Sequence, residues 1–466
     1  MARGAISVDP GAMSEPSLSQ RLVALFDHLG LARAHVASQI PADLADLTAR
    51  HPERVGGVVL CAPVRLDPTP FAAVAERALM IAGDRGLAAD ATARAAQRLP
   101  GAARCVLADY EAFGWSDVVA DRTQAVADAM IAHLADATAD APRGTAPRDG
   151  SHAGITYRIE GTGPALVLLP FFLAPSQWQP AVPALAGHFS VIVLSGPKLG
   201  GVAMLEDRAR APTYQAMFRT VIDLIAPARG EAILDVGCGS GALDRALARR
   251  LAGANPITAV DANPFLLREA AALAESDGLA GAIRFAPGNA EAVPFADAAF
   301  GAAFSITVLE ECDADRAIRE LVRVVRPGGR VGVVVRAIDL PQWWNLDVSE
   351  AIRSKVDPPP QSVARAGVAD GSLYRRMRAA GLTDLIGYPF LITLDDPDGP
   401  MWRYREDSAL SLLSAEETRT WLDARAAARR AGVLLAAHAL HCAVGTKPRQ
   451  QNDLTREGAE KLNGIK

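Results

Sequence analysis

The run Glu231-Ala-Ile-Leu-Asp-Val-Gly-Cys-Gly-Ser-Gly241 constrains this chain more than any other stretch. It reads as a short apolar strand that ends in an acid and passes into a Gly-x-Gly-x-Gly turn. Behind the turn, Leu243, Leu247 and Leu251 recur at four-residue spacing, the mark of an amphipathic helix. Strand, turn and helix make a βα unit. Glycine has no Cβ, so the backbone of the turn can approach a ligand closely. The helix start offers free N–H groups and the positive end of a dipole. Gly237-x-Gly-x-x-Ala242, with Asp261 beyond it, also fits the fingerprint of a nicotinamide dinucleotide fold loosely.

Around this unit, helical and strand patterns alternate from Ser17 onward, which implies parallel sheets and an α/β fold. A chain of 466 residues predicts roughly two to four domains. Residues 1–16 read as a flexible arm. Short strands are expected at Ala34–Ala37, Arg54–Cys61, Ala78–Ala82 and Arg104–Ala108, and one long helix at Val118–Leu134. Residues 139–150 have the composition of a linker. A second strand set occupies 151–208, a third body spans 209–447, and 448–466 form a polar tail.

Composition narrows the partners. Net charge is −5 and the pI is about 6.0, which gives no electrostatic reason to expect nucleic acid. The five cysteines are scattered and never form Cys-x-x-Cys, which argues against zinc or a disulfide framework and predicts a cytoplasmic protein. No apolar run reaches the roughly 18 residues of a membrane span, so none is expected.

Three further features accompany the glycine turn. Thr258–Val260 ends in Asp261, an acid placed to accept from ribose hydroxyls. Pro287-Gly-Asn-Ala-Glu-Ala-Val-Pro-Phe295 precedes a fourth strand, Phe300–Ser305. Arg326-Pro-Gly-Gly329 turns a helix into a fifth. Together with Leu234-Asp-Val-Gly-Cys-Gly-Ser-Gly241, this series resembles the class I S-adenosylmethionine-dependent methyltransferases, closest to the ubiquinone and menaquinone methylases. The resemblance covers residues 210–447. It implies a Rossmann-like fold with S-adenosyl-L-methionine as cofactor. Asp235, Gly237, Gly239 and Gly241 would line the methionine part of the cofactor, and Asp261, with Ala262 beside it, the ribose. Asn289 and Ala290 would meet the adenine, and Ser305 would flank the reacting methyl. The family usually has Asp at the position of Asn289, whose side-chain oxygen can still accept from an adenine amino group.

A sulfonium methyl is already activated, so transfer needs mainly alignment and exclusion of water. A base matters only where the acceptor must lose a proton. Glu310, Glu311 and His441 are the candidates, although a histidine on an apolar strand is often structural. Trp343, Trp344 and Tyr214 could cover the pocket or serve packing.

The first half resembles an α/β-hydrolase without its catalytic groups. Counted back from His51-Pro-Glu-Arg54, Ser38 falls at the nucleophile, but the Gly-x-Ser-x-Gly elbow is Val36-Ala-Ser-Gln-Ile40. Gly86 stands where the acid is usual, Leu107–Trp115 holds no histidine, and Pro170-Phe171 replaces the usual His-Gly of the oxyanion hole. Hydrolase-late elements (17–138) precede hydrolase-early ones (151–208). This order implies either one permuted parallel-sheet domain or two partial copies. Pairing of Leu166–Leu169 with the sheet of Ala34–Ala37 separates the two.

The expectation is a methyltransferase acting on a small molecule, with the hydrolase-like body as scaffold, substrate cover or homodimer surface. A bifunctional methyltransferase and esterase, or a cofactor-binding regulator without catalysis, are the rival readings.

Overall fold

The computed structural model describes residues 16–449 except 112–117, 136, 145, 173, 197–198, 360–362, 398 and 411. The expected arm (1–15), most of the expected tail (450–466) and part of Leu107–Trp115 lie outside the described residues. The chain divides into two compact bodies between Gly201 and Val202.

The first body is built on eight strands: β1 (Ala34–Ser38), β2 (Val55–Cys61), β3 (Ala78–Arg85), β4 (Ala103–Glu111), β5 (Asp149–His152), β6 (Ile155–Glu160), β7 (Ala165–Leu168) and β8 (Ser190–Ser195). They form one sheet in the order β4-β3-β2-β1-β7-β8-β6-β5. β1 and β2 are buried at every residue, as expected for central strands covered on both faces. His35, Val36 and Ala37 of β1 pair in parallel with Leu166, Val167 and Leu168. The early and late runs therefore complete a single sheet. β5 and β6 close one edge as an antiparallel hairpin.

Residues 139–150, which look like a linker, pack into this body. Asp140 N–H donates to Arg33 O at 2.9 Å, Asp140 O accepts from Ala165 N–H at 2.7 Å, and Arg143 N–H donates to Leu29 O at 3.1 Å. Through these bonds the segment ties the β1 region to β7, without a regular element among its described residues until β5 begins. The helix expected over Val118–Leu134 is two helices, Val118–Asp121 and Thr123–Leu134, because Arg122 leaves helical geometry (φ −135°, ψ 37°).

The second body carries β9 (Ile233–Val236), β10 (Ile257–Asp261), β11 (Ile283–Pro287), β12 (Phe300–Ile306), β13 (Val325–Arg336), β14 (Trp343–Trp344), β15 (Thr383–Leu394) and β16 (Ala436–Thr446). The order is β11-β10-β9-β12-β13-β16-β14, and β15 also pairs with β16. β9 has β10 on one side and β12 on the other, both parallel. The chain reverses direction across the sheet there, and such a switch point opens a crevice at the strands' carboxyl ends.

The division falls within the first turn of the helix Gly200–Arg210. Residues 202–208, expected in the first body, belong to the second. Glu206 explains why: it accepts from Ser240 Oγ at 2.7 Å and from Arg245 at 2.6 Å, and all three side chains are buried. A smaller core holds Trp344, Trp402 and Trp421, with Trp344 edge-on to the other two rings at 5.3 and 5.1 Å. Trp344 is therefore packing, whereas Trp343 is exposed. Burying an indole of about 150–250 Å² is worth roughly 4–6 kcal/mol before entropy is counted.

Candidate active site

The glycine turn takes its shape from three left-handed residues. Gly237, Gly239 and Gly241 have φ of 85°, 57° and 70°. A Cβ on Gly237 would sit 2.2 Å from Val308 Cγ2, so only glycine fits. The N–H groups of Gly237 and Cys238 both donate to Val260 O, at 2.7 and 3.0 Å, tying the turn to the end of β10. Asp261 fixes it from the other side. Its Oδ2 accepts from Gly239 N–H at 2.9 Å and its Oδ1 from Asn263 N–H at 2.8 Å. A carboxylate has about four lone-pair sites, so two remain for hydroxyl donors. Burial raises the pKa of Asp261, and the N–H bonds oppose that shift in part. Ala262 is exposed beside it.

Asp235, at the end of β9, is 3 % exposed, and its Oδ1 has no hydrogen-bond partner. It lies against Asp244, in the first turn of the helix Ala242–Leu251, which is fully buried. Burial, then the Asp244 charge, push Asp235 well above the usual carboxylate range, and burial raises Asp244 to about 7. Two acids this close cannot both ionise, so they share a proton. Cys238 is pushed up by burial and by the same acids. It is a turn residue and not a thiolate.

Asn289 Oδ1 accepts from Glu291 N–H at 2.8 Å, leaving one lone pair and the amide nitrogen for a ligand. Ala290 is half-buried next to it. Ser305 lies inside β12, two residues before Thr307. It is fully buried, and its hydroxyl donates to Val236 O at 2.8 Å, stapling β12 to β9. The residue at the strand mouth is Thr307, whose φ of 58° is unusual for a β-branched side chain.

The three candidate bases do not come together. Glu310 is fully buried. Its Oε1 accepts from Arg336 N–H at 2.7 Å and lies 3.4 Å from Arg336 Nε, while Oε2 has no partner. Burial raises its pKa, and Arg336 opposes the shift. Glu311 pairs with the same guanidinium at 3.3 Å. His441 lies between Tyr374 Oη (2.9 Å) and Asp339 Oδ1 (2.8 Å), on the face of β16 that packs against the helix Ser372–Ala379.

The sequence reading missed His438, Arg208 and Arg405, which gather with Tyr214 on the opposite face of β16. One signal was available for Arg405. It sits three residues after Trp402 and four before Ala409, on the apolar stripe of the helix Pro400–Leu410, and both neighbours are buried.

In the first body, Ser38 is fully buried, and its hydroxyl is held by Ile40, accepting from its N–H at 2.9 Å and donating to its O at 3.1 Å. Its φ is not left-handed. The N–H of Phe172, next to Pro170-Phe171, donates to the buried Gln39 Oε1 at 2.9 Å.

Residues 234–333 match the family of methyltransferase domains. The O-methyltransferase rstn1 of Aspergillus nomiae is 34 % identical over 137 residues, which is 29 % of this chain and 59 % of that protein. The ubiquinone/menaquinone biosynthesis C-methyltransferase UbiE of Klebsiella pneumoniae is 31 % identical over 117 residues, 25 % of this chain and 47 % of its own length. The chain thus spans about half the length of the curated relatives it matches. Among solved structures, YcgJ of Bacillus subtilis is 18 % identical with a TM-score of 0.37, covering 51 % of this chain and 100 % of that one.

Proposed function

We propose that this chain, whose second body holds a class I methyltransferase domain, binds S-adenosylmethionine at the β9 turn and methylates a small molecule. The observation that carries the reading is the pinned pair of Gly239 and Asp261 at the switch point of the sheet. The residues fit the cofactor in three ways. The side-chain-free turn leaves backbone open to a ligand, Asp261 keeps spare lone pairs for ribose hydroxyls, and Asp235 has an orphaned oxygen for a methionine ammonium. Asn289 and Ala290 would receive the adenine in this proposal, with the spare Asn289 lone pair and amide nitrogen as its polar partners.

S-adenosylmethionine supplies an activated methyl, whose bond to sulfur breaks with its electrons while a bond to the acceptor forms. The chain's own part is alignment and exclusion of water. Glu310 engages Arg336 through Oε1 and its unpartnered Oε2 is fully buried, Glu311 pairs with the same guanidinium, and His441 is held by Asp339, so this proposal assigns none of the three as a base. The reading is therefore a transfer in which an acceptor proton leaves without a dedicated carboxylate.

The first body serves as a hydrolase-like scaffold in this proposal. What supports it is the occupied Ser38 hydroxyl and the Phe172 amide already satisfied by Gln39, where an oxyanion hole needs free donors.

Calorimetric titration with S-adenosylmethionine tests the central claim. Micromolar binding that falls by at least about tenfold in Asp261→Ala is expected. An absent signal, or affinity unchanged by the substitution, overturns it.

A further inference from the structure

Three guanidinium groups converge near β16, and two of them lack a carboxylate among the described residues. Arg405 is 3 % exposed; it donates to Gln342 Oε1 at 2.6 Å, and its Nε has no partner. Arg208 lies over the Tyr214 ring, 5.1 Å from the centroid, and its Nε is also unpartnered. Only Arg336 is neutralised, by Glu310 and Glu311. His438 is buried with Nδ1 unpartnered. Burial, then Arg405, Arg208 and Arg336 in turn, hold its pKa well below the usual value, so it is neutral. The Tyr214 hydroxyl is buried and has no partner within hydrogen-bond distance.

Burying a guanidinium without a counter-charge costs several kcal/mol. The usual relief, loss of the proton, is closed to arginine. Burial lowers Arg405 to about 9, which still leaves it charged at neutral pH. Three acids of the surrounding elements have other partners. Glu310 and Glu311 hold Arg336, and Glu406 is taken by Trp421 Nε1 at 2.9 Å and Arg425 at 2.6 Å. Four polar side chains, Arg405, Arg208, His438 and Tyr214, therefore carry unpartnered polar atoms or positive charge that no carboxylate among the described residues receives.

The place of this cluster matters. Tyr214 neighbours Thr307 at the mouth of β12. Leu205, three residues before Arg208 on one helix, lies against Gly239, where an added Cβ would be 3.2 Å from its Cδ1. The cluster therefore flanks the glycine turn at the carboxyl ends of β12 and β13.

We propose that Arg405 and Arg208, with Tyr214 and His438 as further donors, bind an anionic group of the acceptor, a carboxylate or a phosphate. Calling the ligand the acceptor rests on the methyl-transfer reading, whereas the anion site itself does not. A planar guanidinium matches either oxyanion through paired N–H donors. Arg336 stays outside the ligand set because two carboxylates already hold it.

Calorimetric titration of the full chain with hexanoate, inorganic phosphate and neutral hexanamide tests the site, with S-adenosylhomocysteine titrated in parallel. One of the two anions is expected to bind and hexanamide not to; whichever binds identifies the oxyanion. Arg405→Gln and Arg208→Gln should each weaken that anion by at least about tenfold, while S-adenosylhomocysteine stays within about twofold. Arg208 is only half-buried, so Arg208→Gln carries the test should Arg405→Gln fail to fold. The proposal is overturned by failure of both anions to bind the native chain, by equal binding of hexanamide, or by anion affinity unchanged in Arg208→Gln. Anion binding without S-adenosylhomocysteine binding would sink the methyl-transfer reading and leave the anion site standing. The reverse result would remove the anion site alone.

Discussion

His438 and His441 lie three residues apart on β16 and face opposite sides of the sheet. Strand geometry requires this, because side chains an odd number of residues apart alternate. His438 faces the arginine cluster and the helix that starts at Pro212, and His441 faces Tyr374 and Asp339. Asp339 is held below the usual carboxylate range: burial raises it, but the His441 hydrogen bond and the Gly371 N–H together outweigh that. The Tyr374–His441–Asp339 chain is thus satisfied at both ring nitrogens, the arrangement of a structural histidine.

His441→Gln should therefore cost stability and leave binding alone. Removing one partner from a buried hydrogen-bonded chain costs about 1–3 kcal/mol. Urea unfolding should show that loss while S-adenosylmethionine affinity is unchanged. A large fall in turnover at native-like stability would return His441 to the catalytic candidates.

Gly237→Ala should damage the turn locally. The left-handed φ costs an alanine about 1–2 kcal/mol, and its Cβ would also meet Val308. Gly230→Ala is the control. It has the same φ of 85° with nothing within 4 Å of an added Cβ. Both variants should lose stability in thermal melts, but only Gly237→Ala should lose cofactor affinity. Equal affinities in the two would show that the turn does not receive the ligand.

The Asp235–Asp244 pair sets a pH dependence with a definite sign. In the folded chain Asp244 keeps its proton up to about 7, whereas an unfolded aspartate releases it near about 4. Over that window the native state binds more protons than the unfolded one, so stability falls as pH rises. Melting temperatures of the ligand-free chain from pH 4.5 to 8 should show a decline that Asp244→Asn flattens. An identical slope in both proteins would mean the carboxyls do not share a proton.

His35 gives the opposite slope in the first body. Both its ring nitrogens are buried without partners, and burial, then His133, lower its pKa to about 4. Unfolding lets it take a proton near about 6.5, so stability is lost as pH falls from there toward 4. Amide protection factors of β1, exchange rates taken relative to the intrinsic rate at each pH, should fall across that range in the native chain and less so in His35→Leu. Exchange that is insensitive to the substitution would place the acid sensitivity elsewhere.

The glycine turn, Asp261 and the strand series were legible because each is local. A turn that needs positive φ writes glycine into the sequence, and an acid at a strand end follows at fixed distance. The arginine cluster was not legible. Arg208, Arg405 and His438 come from three elements spread over more than two hundred residues, and only tertiary packing brings them together. The Ser305 hydroxyl bond was not legible for a related reason: strand position is readable, but which neighbour takes a hydroxyl depends on the partner strand, here Val236 of β9. The 139–150 segment misled because Pro, Gly and polar residues mark any backbone without regular pairing, whether loose or packed.

β1 sits in the interior of the first sheet, yet its two neighbours are made far apart in time. β2 follows it directly, whereas β7 begins more than one hundred residues later. During synthesis β1–β4 leave the ribosome with one side of β1 lacking its row of hydrogen-bond partners. An unpaired apolar strand of this kind is a template for joining another chain. The nascent protein is accordingly most prone to aggregate, and most dependent on chaperones, in the interval before Ala165–Leu168 emerges.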